Sequence, residues 1–294
     1  MYVENLKLYF VKVLRRLRLL DKLNFNLRKN INGENVIIPF INGIGLTNYV
    51  IENDWLDILI EFFVKGKSGT FVDVGVNIGQ TLLRLKTINP EIKYLGFEPN
   101  STCTSYSQSL ANLNKFNNLI IQNVALSSKV NNLILEKSYN VDSRASLVSE
   151  LRPNFFTEKE CILAIDYQSF YFDEEISFVK IDVEGAEYEV LEGMKNALIR
   201  HKPIITCEVL DSFSLEQLSF TQARASNVCN LLHSIDYAII QLNTNKNRIV
   251  SFKKIDAIEI IQWTSKSYAL NDYIFYPIAK ETYVLENLSK IILK

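Results

Sequence analysis

Histidine, cysteine, tryptophan and methionine are scarce in this sequence: two, four, two and two among 294 residues, beside ten glycines and six prolines. So little glycine and proline excludes a collagen-like repeat or a low-complexity chain, and four cysteines at this length exclude a disulfide-dense miniprotein. Cys103, Cys161, Cys207 and Cys229 lie far apart, with no CxxC and no Cys/His cluster. A zinc site is therefore not indicated, and each cysteine is expected to serve as a small buried hydrophobe. No run of about 18 apolar residues occurs, and the opening MYVENLKLYF lacks the pattern of a signal peptide, which makes a reducing cytoplasm the expected setting. With 32 basic against 33 acidic side chains the net charge is −1. Such a balance gives no reason to expect a nucleic-acid partner.

What is present is a globular composition, 48% apolar, with an uneven charge distribution. Residues 1–30 hold eight basic side chains against Glu4 and Asp21, leaving +6 there and about −7 elsewhere. In the same segment Leu6, Phe10, Val13, Leu17 and Leu20 alternate spacings of four and three, one stripe of an amphipathic helix. Two readings follow. The favoured one packs the helix on the body of the protein or on a second copy in a homo-oligomer. The other lays residues 1–24 on an anionic membrane surface, peripheral at the inner face.

From residue 70 onward, β-branched and aromatic runs alternate with helical stretches, the pattern of a parallel sheet covered by helices. Seven strands are predicted, at Thr70–Val74, Lys93–Phe97, Leu119–Val124, Phe178–Val183, Ile204–Val209, Tyr237–Leu242 and Tyr273–Tyr276. Between the third and fourth lies an irregular stretch, about 128–175, too long for a crossover helix and expected to be an insertion over the sheet edge.

The first strand runs into FVDVGVNIGQTLL, a strand, a glycine-bearing turn and a helix start. Glycine lets backbone approach a ligand closely, and free N–H groups at a helix start favour an anionic group. Glu98 ends the next strand, nineteen residues beyond Gly79, where a carboxylate can accept hydrogen bonds from both hydroxyls of a ribose. The turn has no glycine between Gly75 and Gly79, which disfavours a pyrophosphate. S-adenosylmethionine, with a ribose and adenine but an amino-acid tail, suits such a turn.

The blocks FVDVGVNIG, GFEP, NVALS and FVKIDVEGAEYEVLEGM resemble those of FkbM-type S-adenosylmethionine-dependent methyltransferases, a likeness that extends to ALIRHKPIITCEV and weakly to NDYIFYP. The family usually has alanine where this chain has Val76. The resemblance implies an α/β class I methyltransferase fold, Rossmann-like, with a seven-stranded, mostly parallel sheet and helices on both faces. An N-terminal amphipathic helical extension over 1–50 would precede a methyltransferase domain over 51–294. The resemblance further implies cofactor roles for Asp73, Gly75, Asn77 and Gly79, with Glu98 on the ribose and Asn123, Ala125 and Leu126 near the adenine.

Methyl transfer to a hydroxyl needs alignment and a base. In open α/β sheets ligands sit beyond the carboxyl ends of the strands, so His201 and His233, which precede strands, fall at the wrong edge. Asp182 is the first candidate for the base, followed by Glu184 and Glu208. Regular alternation would set Lys180, Asp182 and Glu184 on one side. Glu184 and the acids after it also suit a plain helix start, and Lys180 suits an internal pair with Asp182 or Glu208. Metal-free catalysis is favoured over a divalent cation held by the three carboxylates. Ser143, Arg144 and Ser146 of the insertion would face the acceptor or belong to a plain surface loop.

The expected function is S-adenosylmethionine-dependent O-methylation of a hydroxyl on a glycan or polar metabolite, with surface polysaccharide biosynthesis as the favoured setting. The rivals are a nicotinamide-dependent oxidoreductase on a related fold and a non-catalytic scaffold.

Overall fold

The structure is a computed structural model that describes residues 2–170, 172–245 and 247–293, with side chains from residue 8 onward. The chain opens with α1 (Tyr2–Arg16), the hairpin β1 (Phe25–Ile31) and β2 (Glu34–Phe40), then α2 (Leu46–Val50) and α3 (Trp55–Phe63). The alternating half follows as β3 (Thr70–Val74), α4 (Gln80–Ile88), β4 (Lys93–Phe97), α5 (Ser101–Leu113) and β5 (Leu119–Gln122). Next come β6 (Ala125–Leu126), β7 (Asn131–Lys137), β8 (Glu158–Ile165), β9 (Ile176–Ile181), α6 (Glu187–His201) and β10 (Ile204–Glu208). The chain ends with α7 (Leu218–Ser234), β11 (Tyr237–Asn245), β12 (Arg248–Ile255), β13 (Asp272–Pro277) and α8 (Glu281–Ile292).

The main sheet has eight strands in the order β12-β11-β13-β10-β9-β3-β4-β5. From β5 to β10 all neighbours are parallel, and β13 is antiparallel to both β10 and β11. All seven predicted strands are present in this sheet, and β12 is its one strand that the apolar runs did not reveal. Of its residues only Ile249 is buried, and Lys253 and Lys254 mark an exposed edge. This is a class I methyltransferase arrangement widened by one edge strand.

Strand alternation splits the core into two layers. Phe71 of β3 and Phe178 of β9 pack with α3, α4 and α8 on one face, while Val72, Val74 and Val179 pack with α6 and α7 on the other. Burial on both faces accounts for the unbroken apolar runs of the parallel strands. β3 pairs with β4 on one side and β9 on the other, so the chain reverses its direction of travel across the sheet at β3, where a crevice opens beyond the strand ends.

The opening 50 residues are only partly helical. α1 packs on the body through Val11 and Leu14, rotated from the expected stripe: Phe10 is 51% and Leu17 60% exposed, and Leu6 lies outside the described side chains. The inward line is Val11 and Leu14, with Leu8 partly buried beside them, in one cluster with Phe40, Tyr106 and Leu110. The hairpin turns on Asn32 and Gly33, with φ of 52° and 88°, the left-handed pair that a two-residue type I′ turn demands. Among the described residues no helix is long and apolar enough to cross a membrane. Cys103, Cys207 and Cys229 are buried as expected, and Cys161, on β8, is exposed.

Residues 125–165 form a three-stranded sheet, β6-β8-β7. The loop between β7 and β8 reaches the crevice: Asp142, Ser143, Ala145 and Leu147 line it.

Candidate active site

Two clefts meet at the carboxyl ends of β3 and β9, sharing Gly75, Asn77 and Asp182 as a common wall. The first opens between the glycine turn, Glu98 and the β7–β8 loop. The second, about 930 Å³, is lined by Asp182, Glu208, Asp272, Tyr268, Trp55 and Arg84 among others.

The first cleft is built from backbone. Gly75 has φ +89°, and a Cβ there would stand 1.9 Å from the Asp182 carbonyl oxygen, so no side chain fits. Asn77 and Gly79 are also left-handed, at φ 49° and 78°. The folded-back turn aims the Asn77 N–H at Glu98 Oε2 (2.7 Å), while the Asn100 N–H donates to Oε1 (2.8 Å). Burial raises the Glu98 pKa to about 7 against the lowering by these two amides. Each oxygen, having accepted one bond, retains acceptor capacity for a ligand hydroxyl. Phe97, Ala125, Leu126, Leu135 and Leu147 add an apolar wall.

Asn123 does not line this cleft: its amide braces the turn from behind, donating to the carbonyls of Glu98 and Pro99 at 3.0 Å each. Gly79 likewise serves as the N-cap of α4. Asp73 lies beneath, fully buried, accepting from the Tyr94 hydroxyl at 2.7 Å. Burial raises its pKa, and the Lys180 ammonium opposes that rise. Lys180 Nζ stands 3.4 Å from Asp73 Oδ1 and 3.2 Å from Asp182 Oδ2, and donates to the Gly75 carbonyl at 3.0 Å. Burial works against this ammonium, but the carboxylates outweigh it and raise its pKa. Of the two partners expected for Lys180, it takes Asp182 and not Glu208.

The second cleft is built from side chains on adjacent strands. Cys207 pairs with Ile181, and Glu208 pairs with Asp272, so Asp182, Glu208 and Asp272 stand in one row across β9, β10 and β13. Burial, then the charges of Asp182 and Asp272, push the Glu208 pKa well up. Burial lifts Asp272 to about 7 against the Thr244 hydroxyl, which donates to Oδ2 at 3.2 Å. The Tyr268 pKa is raised, first by the charge of Glu208. Arg84 is committed to Asp54 (2.6 Å) and Asp57 at the start of α3. Among the described residues no cation pairs with Glu208 or Asp272. None of the described residues forms a group of three or more arranged to hold a metal ion.

Glu184 departs from the expected alternation. Its φ of 55° turns the chain after β9, and its carboxylate pairs with Arg152 of the β7–β8 loop at 2.6 Å. Burial raises it to about 7 against the Arg152 charge. The Ser146 hydroxyl donates to the Glu184 carbonyl at 2.7 Å, which ties down the same loop. Of the two readings for Arg144, at the acceptor or on a plain surface loop, its side chain fits the second: it is exposed, pairs with Asp142 and stacks on Phe155 at 4.7 Å. His201 and His233 fall at the ends of α6 and α7, and neither lines either of these two clefts.

Asp272, Tyr268, Asn100 and Arg152 were not singled out from the sequence. Asp272 had a usable signal, since it lies within the NDYIFYP run, directly before the apolar residues of that strand. The strand-end rule passed it over because β13 runs antiparallel, which brings its amino end to the active edge.

Residues 73–256 match the methyltransferase FkbM domain. Methyltransferase sdnD of Sordaria araneosa is 29% identical over an alignment of 170 residues, covering 47% of this chain and 66% of that protein. Similar solved structures include methyltransferase FkbM from Methylobacillus flagellatus KT, at 16% identity and a TM-score of 0.45, over 72% of this chain and 45% of that one. Another is SMU.1697c from Streptococcus mutans, solved in complex with SAH, at 8% identity and a TM-score of 0.42, over 76% of this chain and 98% of that one. The chain thus spans just under two thirds of the curated relative. With the match running from the first strand's aspartate through β12, the chain belongs to the FkbM methyltransferase family.

Proposed function

We propose that the protein transfers the methyl group of S-adenosylmethionine to a hydroxyl on the polar part of its acceptor, a glycan or other polar metabolite being the favoured class. The observation that carries this reading is the junction of the two clefts at Gly75, Asn77 and Asp182, one cleft suited to a nucleoside and the other to a polar acceptor.

The residues fit the cofactor. Glu98 keeps acceptor capacity on both oxygens for a ribose diol, the apolar wall of Phe97, Leu126 and Leu147 suits adenine, and the open turn at Gly75 suits the amino-acid tail. When bound, the cofactor supplies an activated methyl group on a sulfonium. Lys180 fixes the shared wall by gripping the Gly75 carbonyl and the Asp182 carboxylate together.

Of the three carboxylates expected as base, Asp182 is engaged by Lys180 and Glu184 by Arg152, which leaves Glu208 without a cation. Glu208 takes the acceptor's hydroxyl proton as the oxygen–methyl bond forms, and Asp272 beside it shares that proton. Buried neighbouring carboxylates of this kind titrate as a unit with a raised proton affinity, which suits a base acting near neutral pH.

The test pairs calorimetric titration with S-adenosylhomocysteine, and separately with NAD, with a tritiated methyl-transfer screen over saccharides and polyols. Binding of the homocysteine compound alone, weakened by Glu98→Ala, supports the reading. Binding of NAD alone would replace it with hydride transfer, and binding of neither would favour a scaffold.

A further inference from the structure

The loops that flank the acceptor cleft carry a surface that the reaction above leaves unused. Residues 209–217 follow β10 just after Glu208, and residues 256–271 precede β13 just before Asp272. The two loops are joined. The Ser212 N–H donates to the Ile261 carbonyl (3.0 Å), the Trp263 N–H to the Ser212 carbonyl (2.7 Å), and the Ile261 N–H to Asp211 Oδ1 (3.3 Å). Within the second loop the Thr264 N–H donates to Ser267 Oγ at 2.9 Å, and Ser267 is buried. The pair is therefore a built platform.

These loops carry Phe213, Leu215, Ile261, Trp263 and Tyr268, exposed by 40%, 69%, 51%, 44% and 59%. Single exposed apolar side chains are ordinary, but five on two joined loops form a patch of the kind that marks a binding surface. Over residues 209–217 and 256–271 the charged side chains are Asp211, which is buried, Glu216, Asp256, Glu259 and Lys266, so the stretch 260–265 around Trp263 carries none. The platform is continuous with both clefts: Tyr268 lines the second, and Phe213 stacks at 4.2 Å on the Arg152 guanidinium that holds Glu184 beside the first.

We propose that this platform binds the non-reacting, apolar portion of the acceptor, so that the acceptor is an amphiphile: a hydroxyl-bearing polar head in the carboxylate-lined cleft, joined to an apolar body or chain lying across Trp263. The inference rests on the reading of that cleft as the acceptor site. Hydroxyls entering the cleft exchange water for carboxylate partners at little net gain. Contact on the platform then supplies the affinity and holds the head aligned for transfer.

The chain has two tryptophans, Trp55 in the cleft and Trp263 on the platform. Trp55→Phe leaves Trp263 as the sole indole. Its emission is followed during titration with octyl β-glucopyranoside below its micelle threshold, and with methyl β-glucopyranoside. We expect a saturable blue shift with the octyl compound, at a midpoint at least tenfold below any response to the methyl one. Leu215→Ser with Ile261→Ser should raise that midpoint at least tenfold, and the same titration of wild type and of Trp263→Phe controls for a Trp55 variant that fails to fold. An equal response to both glycosides, or a shift that survives the double substitution, would overturn the proposal. So would a ligand-free dimer in sedimentation that disappears with the double substitution, since a second copy would then occupy the platform. Calorimetry with S-adenosylhomocysteine on the same preparations keeps the two readings apart. Octyl binding without nucleoside binding sinks methyl transfer and keeps the surface, and the reverse sinks the surface alone.

Discussion

The two clefts share a wall but are made in opposite ways. The cofactor side is local and backbone-built: a turn with three left-handed residues, and a glutamate from the next strand fixed by two amides. The acceptor side is assembled from Asp54, Arg84, Asp182, Glu208 and Asp272, which meet only through sheet order. Among the described residues Glu208 and Asp272 there have no cation partner, while Asp54 is paired with Arg84 and Asp182 with Lys180; Glu98, by contrast, is held by N–H donors.

The hardest way to break this comparison is to strike the shared wall. Gly75→Ala puts a Cβ within 1.9 Å of the Asp182 carbonyl at a φ of +89°. Overpacking and left-handed strain together should cost about 4 kcal/mol, lower the melting midpoint by on the order of 10 °C, and abolish binding on both sides. Thermal melts and calorimetry read both effects. Preserved nucleoside affinity would mean that the wall is not shared.

A cleaner separation comes from one substitution on each side. Glu208→Gln should slow methyl transfer by roughly 10² to 10⁴-fold while leaving nucleoside affinity within about twofold. In the wild type the rate should climb as pH rises through about 7, since Asp272 is lifted to about 7 and Glu208 well up, and the base works only deprotonated. A rate flat from pH 5 to 9 would remove the pair from the mechanism. Glu98→Ala should do the converse, weakening S-adenosylhomocysteine by about a hundredfold, through two unsatisfied amides and the lost ribose contacts.

How far these sides could be read in advance follows the same division. The turn and Glu98 lay within short blocks, so spacing reached them, while Ala125 and Leu126 came only from the resemblance to the family. Asp272 escaped because only the pairing of β13 reveals that its amino end faces the site. Glu184 was assigned to a face by alternation that its own φ of 55° interrupts. Asn123 sat in the right block but turns its amide to the Glu98 carbonyl. In the opening segment, Asn32-Gly33 was a hairpin signal overshadowed by the helical periodicity before it, and α1 buries the line through Val11 because the hairpin and α5, not the helix alone, decide its rotation.

A smaller effect tests the electrostatic half of the contrast in the folded protein as a whole. Glu98, Glu184 and Glu187 each have a pKa lifted by burial from 4.5 to about 7. The folded state therefore binds more protons than the unfolded one between those values, so stability falls as pH rises from about 4.5 to 7 and levels off above. Urea midpoints from pH 5 to 8 should show that slope, reduced in Glu184→Gln. A slope of the opposite sign would mean that these carboxylates are held charged.

The smallest change reaches beneath both sides. Tyr94→Phe removes the 2.7 Å bond to Asp73 Oδ2, leaving Lys180, 3.4 Å from the other oxygen, as the remaining partner of a fully buried carboxylate. A buried acceptor deprived of one donor costs about 1–3 kcal/mol, so the melting midpoint should fall by several degrees. The more telling readout is how the loss divides. Lys180 spans Asp73, Asp182 and the Gly75 carbonyl, and an Asp73 short of a donor draws that ammonium inward, away from the wall that both clefts share. Nucleoside affinity and transfer rate should then decline together, each by a few fold. If only one of them moved, Lys180 would serve that side alone, and the two clefts would be neighbours without a common support.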